Sequence, residues 1–332
     1  MVAGHVIGGT EGVGMRVEED SGWRQSYRLL EDLRMPLFTA LSGYVYALRP
    51  LKHPQDYGRF VRGKVRRLLI PLLTVGTAFV LLQAITPGTN ADSRVQDLWR
   101  VYVFGDPGHF WFLQAIFLIL LVVGLLDAFD IWRTPTRVIV AVLGTSALSV
   151  FVVVPAQLDV FSVNGAIRLL PFFLLGYGLS RFAGVMPTKT RVAMLAVSIV
   201  LMSARAFDIF GDHALPVGAD RALGVCLGLT GIACLLMWRH LLTVPALARL
   251  GYFSFAIYLL HVFGTAPTRM VLGRVGVESE PVVFGLCLAA GLALPVLFEI
   301  TLGRISWVSW TFLGQRPYRP STRRRPMPSI SE

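Results

Sequence analysis

MPLFTALSGYVYALRPLKHPQDYGRFVRGKVRRLLIPLL, residues 35–73, is the stretch that decides the fold. An apolar run, MPLFTALSGYVYAL, leads into a basic loop, and a second apolar run beginning LLIPLL leads out. Arg49, Lys52, Arg59, Arg62, Lys64, Arg66 and Arg67 put seven cations in this stretch against one acid, Asp56. Lys and Arg are retained in the cytoplasmic loops of membrane proteins. The loop therefore fixes the side of every other segment. It is also the candidate grip for an anionic cofactor.

The rest of the chain agrees with a membrane setting. Of 332 residues, 54% are hydrophobic and 15% charged, where a soluble domain carries about 25% charged residues. The net charge of +11 does not mark a nucleic-acid binder, because the cations lie in short loops and a C-terminal tail and form no basic face. Cys226, Cys234 and Cys287 all sit in apolar runs, without CxxC spacing, and read as packing residues.

Apolar segments are expected at about 35–49, 68–86, 109–126, 137–155, 166–183, 190–204, 222–238, 252–272 and 281–303, the first and sixth of them short. VAGHVIGG at residues 2–9 is too short to span a bilayer, which takes roughly 20 residues. It reads as the outer half of a further helix. The fold class is thus an all-α polytopic membrane protein of about ten transmembrane helices, the first present only as its outer half. Residues 1–303 form the bundle, and 304–332 a basic, Pro/Arg-rich, disordered cytoplasmic tail. With the 49–67 loop inside, the inner loops and tail carry 20 Lys and Arg and the outer loops 10. Both termini then face the cytoplasm, and the protein is integral to the plasma (inner) membrane.

Ionisable groups inside membrane segments cost roughly 2.5–3.5 kcal/mol each on insertion scales and mark sites or pathways. His5, His109 and Arg168 are expected toward the outer side, His261 near the middle, and Arg66, Arg67 and Glu299 at the inner face. Bland readings stand beside these. His109 suits an interfacial loop, Arg168 snorkelling, and His261 a helix–helix hydrogen bond. Arg66 and Arg67 suit a topology signal, and Glu299 an ion pair with Arg304 or Arg66. No GxSxG, HExxH, Walker A or EF-hand pattern is present, and no metal is expected.

Several stretches together resemble the integral-membrane acyltransferase 3 family. MPLFTALSGYVYAL is similar to its PLFF-x-LSG(F/Y) segment, and KVRRLLIPLL to its (K/R)RLL-x-P helix start. HFWFLQAIFLI is similar to its HLWFL segment, LLPFFLLGYGLSR to FPFFLLG, and LGYFSFAIYLLHVF to LG-x-xS-x-x-IYLLH. VAGHVIGG resembles the end of its first helix. The resemblance implies a cytoplasmic acyl-CoA donor, an acetyl group above all, and a hydroxyl of a sugar, other glycan or secondary metabolite as acceptor. It gives His5 the catalytic-histidine role and leaves that of the motif with His109 and Trp111 open; on chemistry alone, His109 or Arg168 suits the oxyanion. Arg62, Arg66 and Arg67 take the donor phosphates, and Ser42, Trp111, Tyr258 and His261 fall on the substrate side or pathway. Arg34 stands where many members have a His. The Arg or Lys that members carry eleven positions before the first histidine would precede Met1, so a truncated, non-catalytic member is a further reading. A transporter or flippase for a lipid-linked or sugar substrate would use the same buried His and Arg, without consuming acyl-CoA.

Overall fold

The computed structural model describes residues 1–87, 89, 95–104, 108–182, 184, 187–211, 215–242 and 244–316. Among these the chain is helical and has no strand. In order, the helices are α1 (Val2–Ile7), α2 (Gly22–Leu29), α3 (Glu31–Ala47), α4 (Tyr57–Lys64), α5 (Ile70–Ile85) and α6 (Leu98–Val103). Then come α7 (Trp111–Ala128), α8 (Pro135–Phe151), α9 (Val163–Phe182), α10 (Thr188–Phe210) and α11 (Val217–Met237). Last are α12 (Pro245–Tyr252), α13 (Ser254–Arg274), α14 (Glu280–Thr301) and α15 (Ser306–Phe312).

All nine expected segments occur as helices among the described residues. Seven helical stretches are long and apolar enough to cross a membrane: Pro54–Ile85, Trp111–Ala128, Val160–Phe182, Thr188–Phe210, Val217–Met237, Ser254–Arg274 and Glu280–Arg304. Pro135–Phe151 is apolar but shorter, and α3 has 17 residues with Glu31 and Asp32 in its first turn. The expectation of a short sixth segment is corrected. α10 runs for 23 residues, because Arg205 near its end is held in ion pairs and does not stop the helix. No residue of α10 is buried, and Val197, Ile199 and Val200 point outward, as on a lipid-facing helix.

The segments alternate in direction. The starts of α3, α7, α9 and α11 gather at one end of the bundle with the end of α10. The basic loop lies at the other end. There the Tyr46 and Tyr177 hydroxyls donate to the buried Asp127 carboxylate at 2.9 and 2.7 Å, which ties α3, α7 and α9 together. Between these ends α3 and α9 cross backbone to backbone. A Cβ on Gly43 would strike the Phe173 carbonyl, and one on Gly176 the Ala40 carbonyl. Small residues permit this approach, the usual way membrane helices gain dispersion energy.

The helical turn over Val65–Leu69 is a π-helix joining α4 to α5. Such an insertion rotates the residues after it relative to a regular helix, and π-turns recur at functional sites. Arg66 and Arg67 lie in it. The expected bundle ends at residue 303. α15 follows it, Val308, Ser309 and Leu313 are buried, and the Leu313 carbonyl accepts from Arg67 at 3.1 Å. Residues 317–332, the remainder of the expected tail, lie outside the described residues.

Candidate active site

α1 is one and a half turns long, so its place depends on its neighbours. Val2, Val6 and Ile7 are buried, and α1 packs against α13 and α14. Its C-terminal end is pinned by Arg24, whose side chain is fully buried. The Arg24 guanidinium donates to the Gly8 carbonyl and, at 3.1 Å, to the Val17 carbonyl. A cation at a helix C-terminus also opposes the exposed carbonyl dipoles. Gly8 itself has φ of 91°, a conformation that favours glycine.

This docking brings three imidazoles together. The His5 ring centroid lies 4.8 Å from that of His261 and 5.8 Å from that of His109, and His109 and His261 are 4.7 Å apart. The latter two have their tautomers set by backbone. His261 is fully buried, and its Nδ1 lies 3.0 Å from the Ile257 carbonyl and 2.9 Å from the Tyr258 carbonyl. A carbonyl only accepts, so Nδ1 carries the proton and Nε2 the lone pair. Nε2 has no hydrogen-bond partner among the described residues. The His109 Nε2 lies 3.3 Å from the Leu259 carbonyl and donates by the same reasoning. The Tyr258 hydroxyl, itself buried, donates to the His109 carbonyl at 2.5 Å. His5 has no such anchor among the described residues, and its side chain is exposed.

That exposure is to a cavity of about 590 Å³ whose wall includes His5, Arg34, His109, Trp111, Arg168 and Tyr258. The same wall carries Asp32, Asp220, Arg205 and Arg221. Arg205 reaches Asp32 at 2.8 Å, Asp220 at 2.5 Å and Asp208 at 3.4 Å. Phe161 and Ser162, at the start of α9, both have positive φ. Ser162, a wall residue, donates to the buried Gln114 at 2.8 Å. Strained backbone of this kind costs of order 1–3 kcal/mol and clusters at working sites.

The structure thus brings together His5, His109, His261, Arg168, Trp111 and Tyr258. It does not bring in Ser42, whose hydroxyl donates to the Phe38 carbonyl of its own helix at 2.9 Å and which is not on the cavity wall. Arg62, Arg66 and Arg67 are not on that wall either. Arg62 is exposed and bonds the Gly58 carbonyl. Arg67 lies 4.3 Å over the Phe255 ring. Glu299, expected in an ion pair, accepts from Gln315 at 2.8 Å. That neutral amide reaches it because the chain after α15 folds back.

Two wall residues, Asp32 and Arg205, escaped sequence reasoning, and Arg34 stood out there only by its place in a motif. Arg34 fills the space beside the Gly4 α-carbon, and its Nη2 donates to the Tyr27 hydroxyl at 2.9 Å. Its position just ahead of MPLF was the available signal. The Asp32–Arg205 pair joins residues 173 apart in the chain, so no local pattern announces it. Among the described residues no group of three His, Cys, Asp or Glu side chains is arranged to hold a metal.

The fold and site define a helical membrane bundle with a polar cavity whose wall carries two imidazoles, His5 and His109. The chain belongs to the acyltransferase 3 family: the family's acyltransferase-domain model matches residues 1–300. No curated protein and no solved structure matches it. Membership makes it a membrane O-acyltransferase by class.

Proposed function

We propose that the protein transfers an acyl group, acetyl above all, from cytoplasmic acyl-CoA to a hydroxyl of a sugar or related acceptor presented at the far end of the bundle. The single observation that carries this reading is that His5 joins a three-imidazole cluster and faces a polar cavity. On this reading the protein sits in the plasma membrane and crosses it about ten times, counting the α1 segment, α3 and α8. Both termini and the basic loop are cytoplasmic.

The donor phosphates meet Arg66, with Arg62 and Arg67 beside it, where charge-assisted hydrogen bonds are available. The acyl arm follows α13. From Phe255, under Arg67, to His261 is six residues, about 9 Å of helix rise. His5 takes the proton of the acceptor hydroxyl, a task suited to an imidazole. The hydroxyl oxygen bonds to the thioester carbon, the carbon–sulfur bond breaks, and the thiolate leaves toward the basic end. His109 gives its N–H to Leu259, so the oxyanion falls to Arg34 and Arg168, both cations of the cavity wall.

Incubating the purified protein with acetyl-labelled acetyl-CoA tests the donor. Label transfer or free CoA thiol, lost in His5→Ala, is the expected result. Transport of a sugar with no thiol release would favour a transporter instead.

A further inference from the structure

We infer that His261 is the orienting partner of His5: its bare Nε2 accepts an N–H from the His5 ring and so turns the other His5 nitrogen to the cavity. The inference rests on the reading of His5 as the base, but its first test does not need that reading.

Three observations converge. His261 is fully buried, and its Nδ1–H is committed to two carbonyls of its own helix. Nε2 therefore sits on the ring edge facing away from that helix. It has no partner among the described residues, and an unmet buried acceptor costs of order 1–3 kcal/mol. The ring nearest to it that has no hydrogen-bond anchor of its own among the described residues is His5, at 4.8 Å between centroids. His109 is slightly closer, at 4.7 Å, but its N–H is already given to Leu259. Of the two neighbours, only His5 is left with an N–H to offer.

A base works when one nitrogen is bare and aimed at the proton it takes, and when a third group holds the other N–H. His261 supplies that hold without adding charge to a low-dielectric site, where a carboxylate would be expensive. It is a positioning residue, not a catalytic one: it is off the cavity wall and acts through His5. The fixed backbone carbonyls of Ile257 and Tyr258 make it rigid, so the geometry passes from α13 to α1, the short helix least able to hold itself.

The experiment uses the full chain in detergent, with its six histidines labelled with ¹⁵N in the ring and His5 assigned by its loss in His5→Ala. In the wild type His5 is expected to show one protonated and one bare nitrogen. In His261→Asn, whose amide still donates to the Ile257 carbonyl, the two His5 signals are expected to merge toward a tautomer average. From the other side, His5→Ala should move the His261 Nε2 signal to that of an unbonded acceptor. Since His5 borders open cavity, this variant is the one that keeps its fold if His261→Asn does not. An unchanged His5 pattern in a folded His261→Asn, or an unmoved His261 signal in His5→Ala, overturns the inference. With acetyl-CoA as probe, His261→Asn should lower kcat about 10²-fold with KM held, the scale of a small misalignment. A fall in KM-controlled binding alone would also overturn it. Absent thiol release in the wild type, beside intact tautomer coupling, would count against the acyl-transfer reading and not against this pairing.

Discussion

The Arg67 guanidinium lies 4.3 Å over the ring of Phe255, and Phe255 is the second residue of the helix that carries Tyr258 and His261. The stack couples the π-turn at the basic end to the helix that floors the cavity. Arg67 is further committed to the Leu313 carbonyl, whereas Arg66 has no hydrogen-bond partner among the described residues and is the freer charge. The two arginines should therefore fail differently. Arg66→Ala is expected to raise KM for acetyl-CoA tenfold or more, since a charge-assisted bond contributes about 1.5–3 kcal/mol, with kcat little changed. Arg67→Ala should raise KM and also lower the melting temperature. Arg67→Lys should not restore stability, because an ammonium lacks the planar face that stacks on the ring. Steady-state kinetics and detergent melting curves separate these outcomes. Equal effects in both variants would contradict the division.

His5→Ala should remove acyl transfer and leave the bundle intact. Its ring faces open cavity, so its loss leaves no packing void, while general-base catalysis is worth roughly 10²–10⁴ in rate. His109→Ala is a harsher change, because His109 is buried against Phe110 and Tyr258. Its loss should lower both expression and rate. Size-exclusion profiles alongside thiol release make the comparison, and an active His5→Ala would remove His5 from the mechanism.

Much of this arrangement was legible in residues 35–73 and the apolar runs, because a bilayer imposes length and hydropathy on each segment separately. His5, His109 and His261 were legible for a related reason: an ionisable ring inside apolar sequence stands out. What stayed hidden was long-range pairing. Gly43 and Gly176 are ordinary membrane glycines until the backbones of α3 and α9 are seen to touch. Arg24 in a polar loop looked like one more outer-loop charge, yet it is fully buried. Ser42 looked functional because it lies in a motif, but Gly43 beside it is the residue that the fold needs. Arg205 follows directly on the expected segment end at 204, yet its carboxylate partners let the helix continue.

Arg24 gives a test of how α1 is held. Arg24→Met should leave the Gly8 and Val17 carbonyls unmet, at about 1–3 kcal/mol each, and free α1 without disturbing α3 to α14. The expected result is a bundle with a nearly unchanged helix content, faster amide exchange over residues 2–17, and loss of thiol release comparable to His5→Ala. Unchanged exchange would mean that packing on α13 and α14 suffices to dock α1.

At the α3–α9 crossing, Gly176→Ala puts a methyl group where the Ala40 carbonyl already lies. The helices must part or shift along their axes, and overpacking of this kind typically costs 1–3 kcal/mol. The variant should melt earlier than the wild type. Gly144→Ala, with open space where its Cβ would go, should not. A Gly176→Ala protein as stable as Gly144→Ala would mean that the crossing tolerates a wider gap.

The sidedness of the whole route is open to chemical labelling. Cys226 is exposed, whereas Cys234 and Cys287 are buried, so a Cys226→Ser background should be nearly silent to maleimides. In that background Lys52→Cys places a thiol in the basic loop, and Thr10→Cys places one at the exposed turn after α1. A membrane-impermeant maleimide applied to intact cells is expected to mark Thr10→Cys and to miss Lys52→Cys until the cells are opened. The reasoning is one of charge: a loop with seven cations against one acid is expected on the inner side, where acyl-CoA is found. Were Lys52→Cys marked in intact cells, Arg66 and Arg67 would face a compartment with no donor. The end of the bundle that carries Arg205 would then face the cytoplasm, and the direction assigned to acyl transfer would be reversed.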